Sequence, residues 1–347
     1  GISHRRIGWA GTKDKRAITT QFISIYNGER EQVERLHIKD LSLEVIGRSP
    51  VAISLGMLEG NRFAITIREC ERDSLSERVD SVAETVSHGI PNYVGLQRFG
   101  VIRPITHRVG ELILNGDYEG AALAYIGEAF PHEPSDIREA RNAFSRTLDI
   151  KAALKQYPTH LSYERSMLHH LDSHPGDYGG ALQVLPPKLL SMFVSAFQSV
   201  LFNHALSMRL LSGLDLTTPV PGDALVFPNG RVDTVSEQNQ FAAALHIRRG
   251  RAKIALFIPG SRKKTEEFTP SMRLLLTERG ISEDNFKRAA EFVKTSFEGA
   301  YRPVSLSTQI TTRVTESDLH LEFLLDPGQY ATTVCREFMK AEPLRMV

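Results

Sequence analysis

A single carboxylate stands among cations near the start of the chain. Asp14 is the only acidic residue among the first 27, and it lies between Lys13 on one side and Lys15 and Arg16 on the other. Neighbouring cations favour the charged form of a carboxylate, so we expect Asp14 to be ionised at neutral pH even where the fold partly buries it. An ionised carboxylate can attack an electrophilic carbon or stabilise a developing cation, but it has no proton to donate.

The residues around Asp14 predict a tight loop between two strands. Gly8 and Gly11 allow the backbone to turn sharply, and strand-forming residues stand before the loop at Trp9 and after it at residues 22–25. Loops between sheet elements often carry active-site residues. A Lys-Asp-Lys tripeptide by itself is more commonly a solvated hairpin tip, because most exposed charges contribute little.

Two further segments carry side chains that suit RNA. Residues 61–67 have the pattern of a half-buried strand that follows a Gly-Asn turn, with Phe63, Ile65 and Ile67 on one face. Pro91 ends regular structure, and we expect residues 92–100 to form a loop rich in amide, aromatic and Arg side chains. Planar groups stack on unpaired bases and polar groups bind phosphates and base edges, so this loop is either an RNA-binding surface or a plain connector.

Length and composition indicate a globular chain of about two domains. It has 347 residues, of which 41% are hydrophobic and 24% charged. No run of about eighteen apolar residues occurs, so we expect no membrane span. Cys70 and Cys335 are far apart and have no Cys or His at metal-ligand spacing, which argues against a disulfide or zinc site and favours a reducing, cytoplasmic location.

The distribution of charge is more informative than its total. A net charge of +1 does not decide for or against nucleic acid, because a binding protein needs only a basic face. The basic residues form an early and a late cluster, and from sequence alone these either line one cleft or lie on two unrelated faces. The clusters are His4, Arg5, Arg6, Lys13, Lys15 and Arg16, and Arg248, Arg249, Arg251, Lys253, Arg262, Lys263 and Lys264.

The two ends of the chain are rich in predicted strands, and the middle is rich in predicted helices. Besides residues 61–67, the alternation at residues 41–46 predicts a strand, and strands are predicted again at 304–307, 311–314 and 319–325 before a last helix over 329–340. The longest predicted helix, residues 187–211, is apolar over a wide arc and therefore buried. Gln198, Ser199 and Asn203 interrupt that arc, and we expect them to satisfy neighbouring backbone groups. Pro228-Asn229-Gly230 predicts a hairpin turn.

A histidine cluster invites a metal-site interpretation that the spacing does not support. His169, His170 and His174 surround Asp172, but this arrangement differs from the His-Glu-x-x-His pattern of zinc helices. We therefore expect no metal site here.

Five segments, in the same order along the chain, resemble conserved motifs of the TruD family of tRNA pseudouridine synthases. Together they extend over nearly the whole chain. They are Gly11-Thr12-Lys13-Asp14-Lys15-Arg16-Ala17 with Gln21, Gly60-Asn61-Arg62-Phe63, Pro91-Asn92-Tyr93-Val94-Gly95-Leu96-Gln97-Arg98-Phe99-Gly100, Phe197-Gln198-Ser199-Val200-Leu201-Phe202-Asn203, and Gly328-Gln329-Tyr330-Ala331-Thr332-Thr333.

The resemblance implies an α+β fold in which a catalytic domain with a mixed or antiparallel pseudouridine-synthase sheet is interrupted by an inserted, helix-rich α+β TRUD domain. Residues 1–100 and 301–347 would form the catalytic domain, and residues 101–300 the insertion, with an RNA-binding cleft between them. The family has a strand and a helix upstream of the catalytic loop, so we also expect this sequence to begin after part of the first domain.

The resemblance further implies a cofactor-independent enzyme that isomerises a specific uridine of tRNA, such as uridine-13, to pseudouridine. Asp14 would be the catalytic carboxylate, and the uridine would be flipped out of the RNA helix. Phe63 would belong to the base pocket with Asn61 beside it, and Tyr330 would touch the same nucleotide.

Two cations complete the set that the resemblance suggests. Lys13 and Arg98 would keep Asp14 ionised or hold phosphate. Val94 stands where the family often has an aromatic residue, so stacking at that point is in doubt. Without the resemblance, spacing alone would assign Phe63 and Tyr330 to core packing.

Two other functions fit the residues. One is a non-catalytic RNA-binding or chaperone protein on the same scaffold. The other is a metal-dependent RNA hydrolase that uses the acidic and histidine residues. The loss of tritium from uracil C5 of tRNA, and activity in the presence of EDTA, separate these from an isomerase.

Overall fold

The computed structural model describes residues 2–14, 17–265 and 268–346, which form helices and small antiparallel sheets. The predicted α+β class is confirmed. The described strands are β1 (Ile7–Trp9), β2 (Ile23–Ile25), β3 (Asn61–Ile67), β4 (Ile90–Pro91), β5 (Ala224–Val226), β6 (Val232–Thr234), β7 (Lys253–Ile258), β8 (Ala300–Pro303), β9 (Ser305–Leu306), β10 (Ile310–Val314) and β11 (Leu319–Leu325).

The described helices fall mostly between β4 and β8. They are α1 (Arg30–Glu34), α2 (Leu75–His88), α3 (Thr106–Asn115), α4 (Tyr118–Gly127), α5 (Ser135–Thr147), α6 (Ile150–Gln156), α7 (Ser162–Ser173), α8 (Tyr178–Gln183), α9 (Pro187–Leu211), α10 (Gln240–Arg248), α11 (Pro270–Glu278), α12 (Glu283–Val293) and α13 (Ala331–Met339).

The two ends of the chain meet in one antiparallel sheet. Its strand order is β10-β11-β3, and Phe63 of β3 lies opposite Phe323 of β11. Alternate residues of β3 and β11 face a core that α2 and α13 cover, because side chains of period two share one face of a strand. The pairing of the ends agrees with the TruD resemblance, whereas the exact domain limits stay a prediction.

Helix α9 lies at the centre of the core in the middle of the chain, with the bounds that the sequence predicts. Phe193, Phe197 and Leu201 are fully buried in it. Gly110 of α3 lies so close to the Phe193 carbonyl that a β-carbon would collide with it, which lets the two helices approach. Among the described residues α9 alone is long and apolar enough to span a membrane, yet 61% of its most apolar stretch is buried inside the protein. It is therefore a core helix.

A second sheet connects the middle of the chain to its C-terminal part. Its order is β6-β5-β7-β8. The predicted hairpin between β5 and β6 is confirmed. Gly230 in its turn has a φ of 81°, a positive value that glycine adopts without strain and that hairpin turns commonly require. After β8 the chain continues into β9, which pairs with β4 and so places the loop that follows Pro91 beside this sheet.

The first sixty residues pack loosely on the rest. None of the described residues up to Gly60 is buried, and β1 pairs with β2 only. The predicted strand at residues 41–46 is wrong, since only an isolated bridge between Ile38 and Leu41 forms there. Alternation produces a strand only where a neighbouring strand accepts its backbone hydrogen bonds, and no described strand pairs with residues 42–46.

Candidate active site

The loop that carries Asp14 is fixed to the chain just before β3. Gly56 donates a backbone hydrogen bond of 2.8 Å to the Ala10 carbonyl. Gly8 packs against the Ile53 carbonyl with no room for a β-carbon. These contacts hold the end of β1 beside the approach to β3, and so determine where the following loop can reach.

At the far side of this loop, Lys13 reaches Asn61. The Lys13 Nζ donates a 2.9 Å hydrogen bond to Asn61 Oδ1, across 48 residues of chain. The neighbouring Asp14 is exposed, and among the described residues none donates a hydrogen bond to its carboxylate. Lys15 and Arg16, the other cations of the predicted cluster, lie outside the described residues.

Asn61 and Phe63 share the inner face of β3, about 7 Å apart along the strand. Phe63 is half-buried, and its ring stacks on that of Phe323 with centroids 5.7 Å apart. One side of the Phe63 ring therefore belongs to the core of the end sheet. The structure brings Lys13, Asn61 and Phe63 together as one group.

The loop after Pro91 and the start of α13 form a second group. Asn203 of α9 accepts a hydrogen bond of 2.8 Å from the Val94 amide and donates one of 3.1 Å to its carbonyl. Thr333 Oγ1 donates to the Tyr93 carbonyl at 3.0 Å. A β-carbon on Gly95 would lie 2.9 Å from the Tyr330 ring, so only glycine lets the loop pack against it. The predicted backbone role of Asn203 is confirmed.

Arg302 joins this group, and sequence reasoning missed it. Its guanidinium donates to Asn92 Oδ1 at 2.9 Å and to the Gly328 carbonyl at 2.7 Å. It also lies over the Phe202 ring, 5.2 Å from the centroid, and 6.0 Å from the centroid of Tyr330. Burial lowers the pKa of the Arg302 guanidinium, and the nearby Arg98 lowers it further. The sequence gives one indication of this role, which is that Arg302 lies just after residue 300, the predicted end of the insertion.

Unpaired polar atoms concentrate between the loop and α13. Among the described residues three buried side-chain atoms lack a hydrogen-bond partner, and two of them are Arg98 Nε and Thr332 Oγ1. Arg98 is a neighbour of Arg302, and Thr332 follows Tyr330 closely in sequence and contacts Gly95. A buried polar atom without a partner is costly, so the packing of the loop beside Arg302 and α13 leaves hydrogen-bonding capacity unmet.

The turn between β11 and α13 connects the two groups. Asn61 lies opposite Leu325, and Asp326 follows at once. Lys253 Nζ of β7 lies 3.9 Å from Asp326 Oδ2, and Arg302 holds Gly328 in the same turn. The predicted residues Lys13, Asn61 and Phe63 thus stand at one end of a short turn, and Arg98 and Tyr330 at the other.

Two of the three predicted histidines, His170 at the end of α7 and His174 just after it, have other partners. His170 lies 2.8 Å from Asp177 Oδ2, and its ring stacks on His174 at a centroid distance of 4.7 Å. Among the described residues no group of three His, Cys, Asp or Glu side chains is arranged to hold a metal ion. Asp177 also caps the start of α8 by accepting a hydrogen bond from the Gly180 amide, so His170 and His174 belong to this corner and not to the arrangement around Asp14.

Comparisons with known proteins agree on one family. The family model for tRNA pseudouridine synthase D (TruD) matches residues 1–338. The chain is 40% identical to a protein of Methanococcoides burtonii named "Probable tRNA pseudouridine synthase D", over 99% of this chain and 83% of that protein. A protein of the same name from Methanosarcina acetivorans is 41% identical, over 99% and 82%.

A solved structure extends the similarity to three dimensions. The crystal structure of a tRNA pseudouridine synthase D (TruD) homologue from Methanosarcina mazei has a TM-score of 0.82 and 37% identity, and the match covers 99% of this chain and 83% of that one. A similarity of this extent includes every segment that forms the two groups of side chains described above.

Proposed function

Since the chain belongs to the TruD family of tRNA pseudouridine synthases, we propose that it converts uridine-13 of tRNA to pseudouridine, with Asp14 as the catalytic carboxylate. The family's enzymes are isomerases. The target position, the role of Asp14 and the flipping of the base are the parts that we propose beyond family membership.

One observation carries the proposal. The hydrogen bond from Lys13 to Asn61 ties the loop of the lone carboxylate to the strand that bears Phe63. A carboxylate that must reach a ribose while an aromatic ring holds the base needs these two elements side by side. The solvated-tip interpretation of Lys13-Asp14-Lys15 would not require Lys13 to contact a distant strand.

The proposed reaction breaks the bond between N1 and C1′ of uridine and forms a bond between C5 and C1′. The C5 proton leaves to solvent, and N1 is protonated, so no electrons or outside atoms are needed and we propose no cofactor. The carboxylate of Asp14 supplies the negative charge, which suits attack on the substrate or stabilisation of positive charge at the anomeric carbon.

The uridine must first leave the RNA stack, which costs a few kcal/mol. Stacking on an aromatic side chain contributes about 1–3 kcal/mol per base and offsets that cost. We assign this role to Phe63 with Tyr330 against the same nucleotide, and we assign the uracil edge to the amide of Asn61. We assign to Lys13 and Arg98 the binding of phosphate or the stabilisation of the ionised Asp14 carboxylate.

The test is the release of tritium from tRNA labelled at uracil C5. The wild-type protein should release label in EDTA and leave the RNA unbroken, and Asp14→Asn should release none while it binds tRNA within severalfold of wild type. Asp80→Asn, an exposed carboxylate of α2, is the matched control and should keep full activity. A tRNA with cytidine in place of uridine-13 should release no label from that site.

Three results would count against the proposal. No release by the wild type would favour a non-catalytic RNA-binding protein. Cleaved RNA, or activity lost with EDTA, would favour a metal-dependent hydrolase. A large loss of tRNA binding in Asp14→Asn would show that Asp14 holds the loop together.

A further inference from the structure

The late basic cluster begins next to the candidate active site. Lys253, the first residue of β7, places its Nζ 3.9 Å from Asp326. Leu325, the residue before Asp326, lies opposite Asn61, to which Lys13 of the early cluster binds. One cation of each cluster therefore lies near this point, Lys13 at the first residue of β3 and Lys253 at the turn that follows the paired strand β11, so this end of the late cluster does not lie on an unrelated face.

Several segments meet around Lys253 at one end of the second sheet. Val226 lies opposite Lys253, so the tip of the β5–β6 hairpin is at the same end of the sheet as the turn that leads from α10 into β7. Phe227 of that tip contacts His246 of α10 with ring centroids 5.5 Å apart. We call the cations at this end of the sheet, listed next, the basic rim. They are Arg231, Arg248, Arg249, Arg251 and Lys253.

Most of the positive charge on the basic rim is uncompensated. Arg248, Arg249 and Arg251 are exposed, and none of them forms an ion pair with another described residue. Arg231 pairs with Asp233 at 2.9 Å and lies over the Phe227 ring. Three guanidinium groups that are free to donate bidentate hydrogen bonds favour phosphate as a ligand.

A run of exposed arginines is commonly only a solvated face, but position argues otherwise here. The residue opposite Asn61 is Leu325, the last residue before the β11–α13 turn, and Lys253 of the basic rim lies 3.9 Å from Asp326 in that turn. A polyanion that leaves the site in that direction would therefore meet Lys253 and, beyond it, three arginines that form no ion pair with a described residue.

We propose that the basic rim binds the phosphate backbone of tRNA beside the target uridine, and so determines affinity while leaving the chemical step unchanged. This rests on the proposed function, because it takes tRNA as the ligand. Each phosphate contact adds about 0.7–0.9 to the slope of log affinity against log salt concentration. Three contacts should therefore contribute a slope of about 2–3.

The experiment compares two triple variants that remove the same charge. Arg248→Gln/Arg249→Gln/Arg251→Gln removes the cations of the basic rim. The control, Arg146→Gln/Lys151→Gln/Lys155→Gln, removes three exposed cations of the α5–α6 corner that have no described ion pair. Binding of unmodified tRNA is measured from low to physiological salt, tritium release is measured at saturating tRNA, and thermal melting checks that both variants are folded.

The rim variant should lose about 2–3 from the salt slope and require more tRNA for half-maximal rate, with an unchanged rate at saturation. The control should match the wild type in both. A rim variant with the wild-type slope, or equal losses in both variants, would overturn the inference. If the wild type releases no label but the slopes still differ as expected, the rim binds tRNA and only the proposed reaction is wrong.

Discussion

We expect substitutions of Arg302 to lower both the free energy of unfolding and kcat, because its guanidinium connects two segments of the candidate site. The guanidinium anchors two places, Asn92 through bonds of 2.9 and 3.1 Å and Gly328 through one of 2.7 Å. Hydrogen bonds that involve a charged group contribute about 1.5–3 kcal/mol each, so with one bond counted for each of the two anchors, Arg302→Ala should cost about 3–6 kcal/mol. That is a large part of the roughly 5–15 kcal/mol by which domains are stable.

The milder variant Arg302→Lys keeps the charge but has a compact ammonium in place of the planar fork. It can satisfy one anchor and not both, so we expect the free energy of unfolding to fall by about 1.5–3 kcal/mol. The loop at Asn92 and the turn before Tyr330 would then be held less firmly. A misplacement of about 1 Å can lower a rate about 100-fold, so kcat for tritium release should fall by about 10- to 100-fold.

Arg209 provides the matched control. It is also buried, and it donates to Asp223 Oδ1 at 2.7 Å and to the Asp215 carbonyl at 2.9 Å, in the region that follows α9. Arg209→Lys should lower the free energy of unfolding by a similar amount and leave kcat of the folded protein unchanged. Urea denaturation gives the first quantity, and initial rates at a temperature where both variants are folded give the second. A wild-type kcat in Arg302→Lys would refute the positioning role.

Three further changes test other parts of the structure. Phe63→Leu keeps most of the volume packed against Phe323 but loses the aromatic face. It should weaken productive tRNA binding by about 1–3 kcal/mol with little change in Tm. A lower Tm with normal kinetics would instead assign the ring to the core. In Asn203→Asp the ionised carboxylate cannot donate a hydrogen bond to the Val94 carbonyl, so the protein should lose about 1–3 kcal/mol of stability at neutral pH. At acidic pH the protonated carboxyl can donate, and part of the stability should return. Denaturation at several pH values measures both effects. Burial lowers the pKa of His107 below its usual 6.5, so the unfolded chain binds a proton at a higher pH than the folded one. The free energy of unfolding should therefore decline as pH falls through about 6.5. In His107→Gln that free energy should decline less over the same pH range, and an equal decline would contradict this explanation.

Local patterns predicted the individual elements well. The strand at Asn61–Ile67 and the helix at Pro187–Leu211 have the bounds that their periods of two and about 3.6 indicate. Gln198 donates to the Pro259 carbonyl at 2.7 Å, as expected for an amide on a buried helix. The wrong prediction of a strand at residues 41–46 shows the limit, since the alternation is present but no described strand pairs with this segment beyond the isolated bridge at Leu41.

The sequence by itself determined that a lone carboxylate stands among cations in a loop, and which family of motifs accompanies it. Only the tertiary structure decided that Lys13 meets Asn61, that Lys253 lies beside Asp326 in the β11–α13 turn, and that Arg302 holds Asn92 across 210 residues of chain. The reason is physical: a helix or strand period reports on neighbours a few residues away. The partner of a buried guanidinium is determined by how distant elements pack.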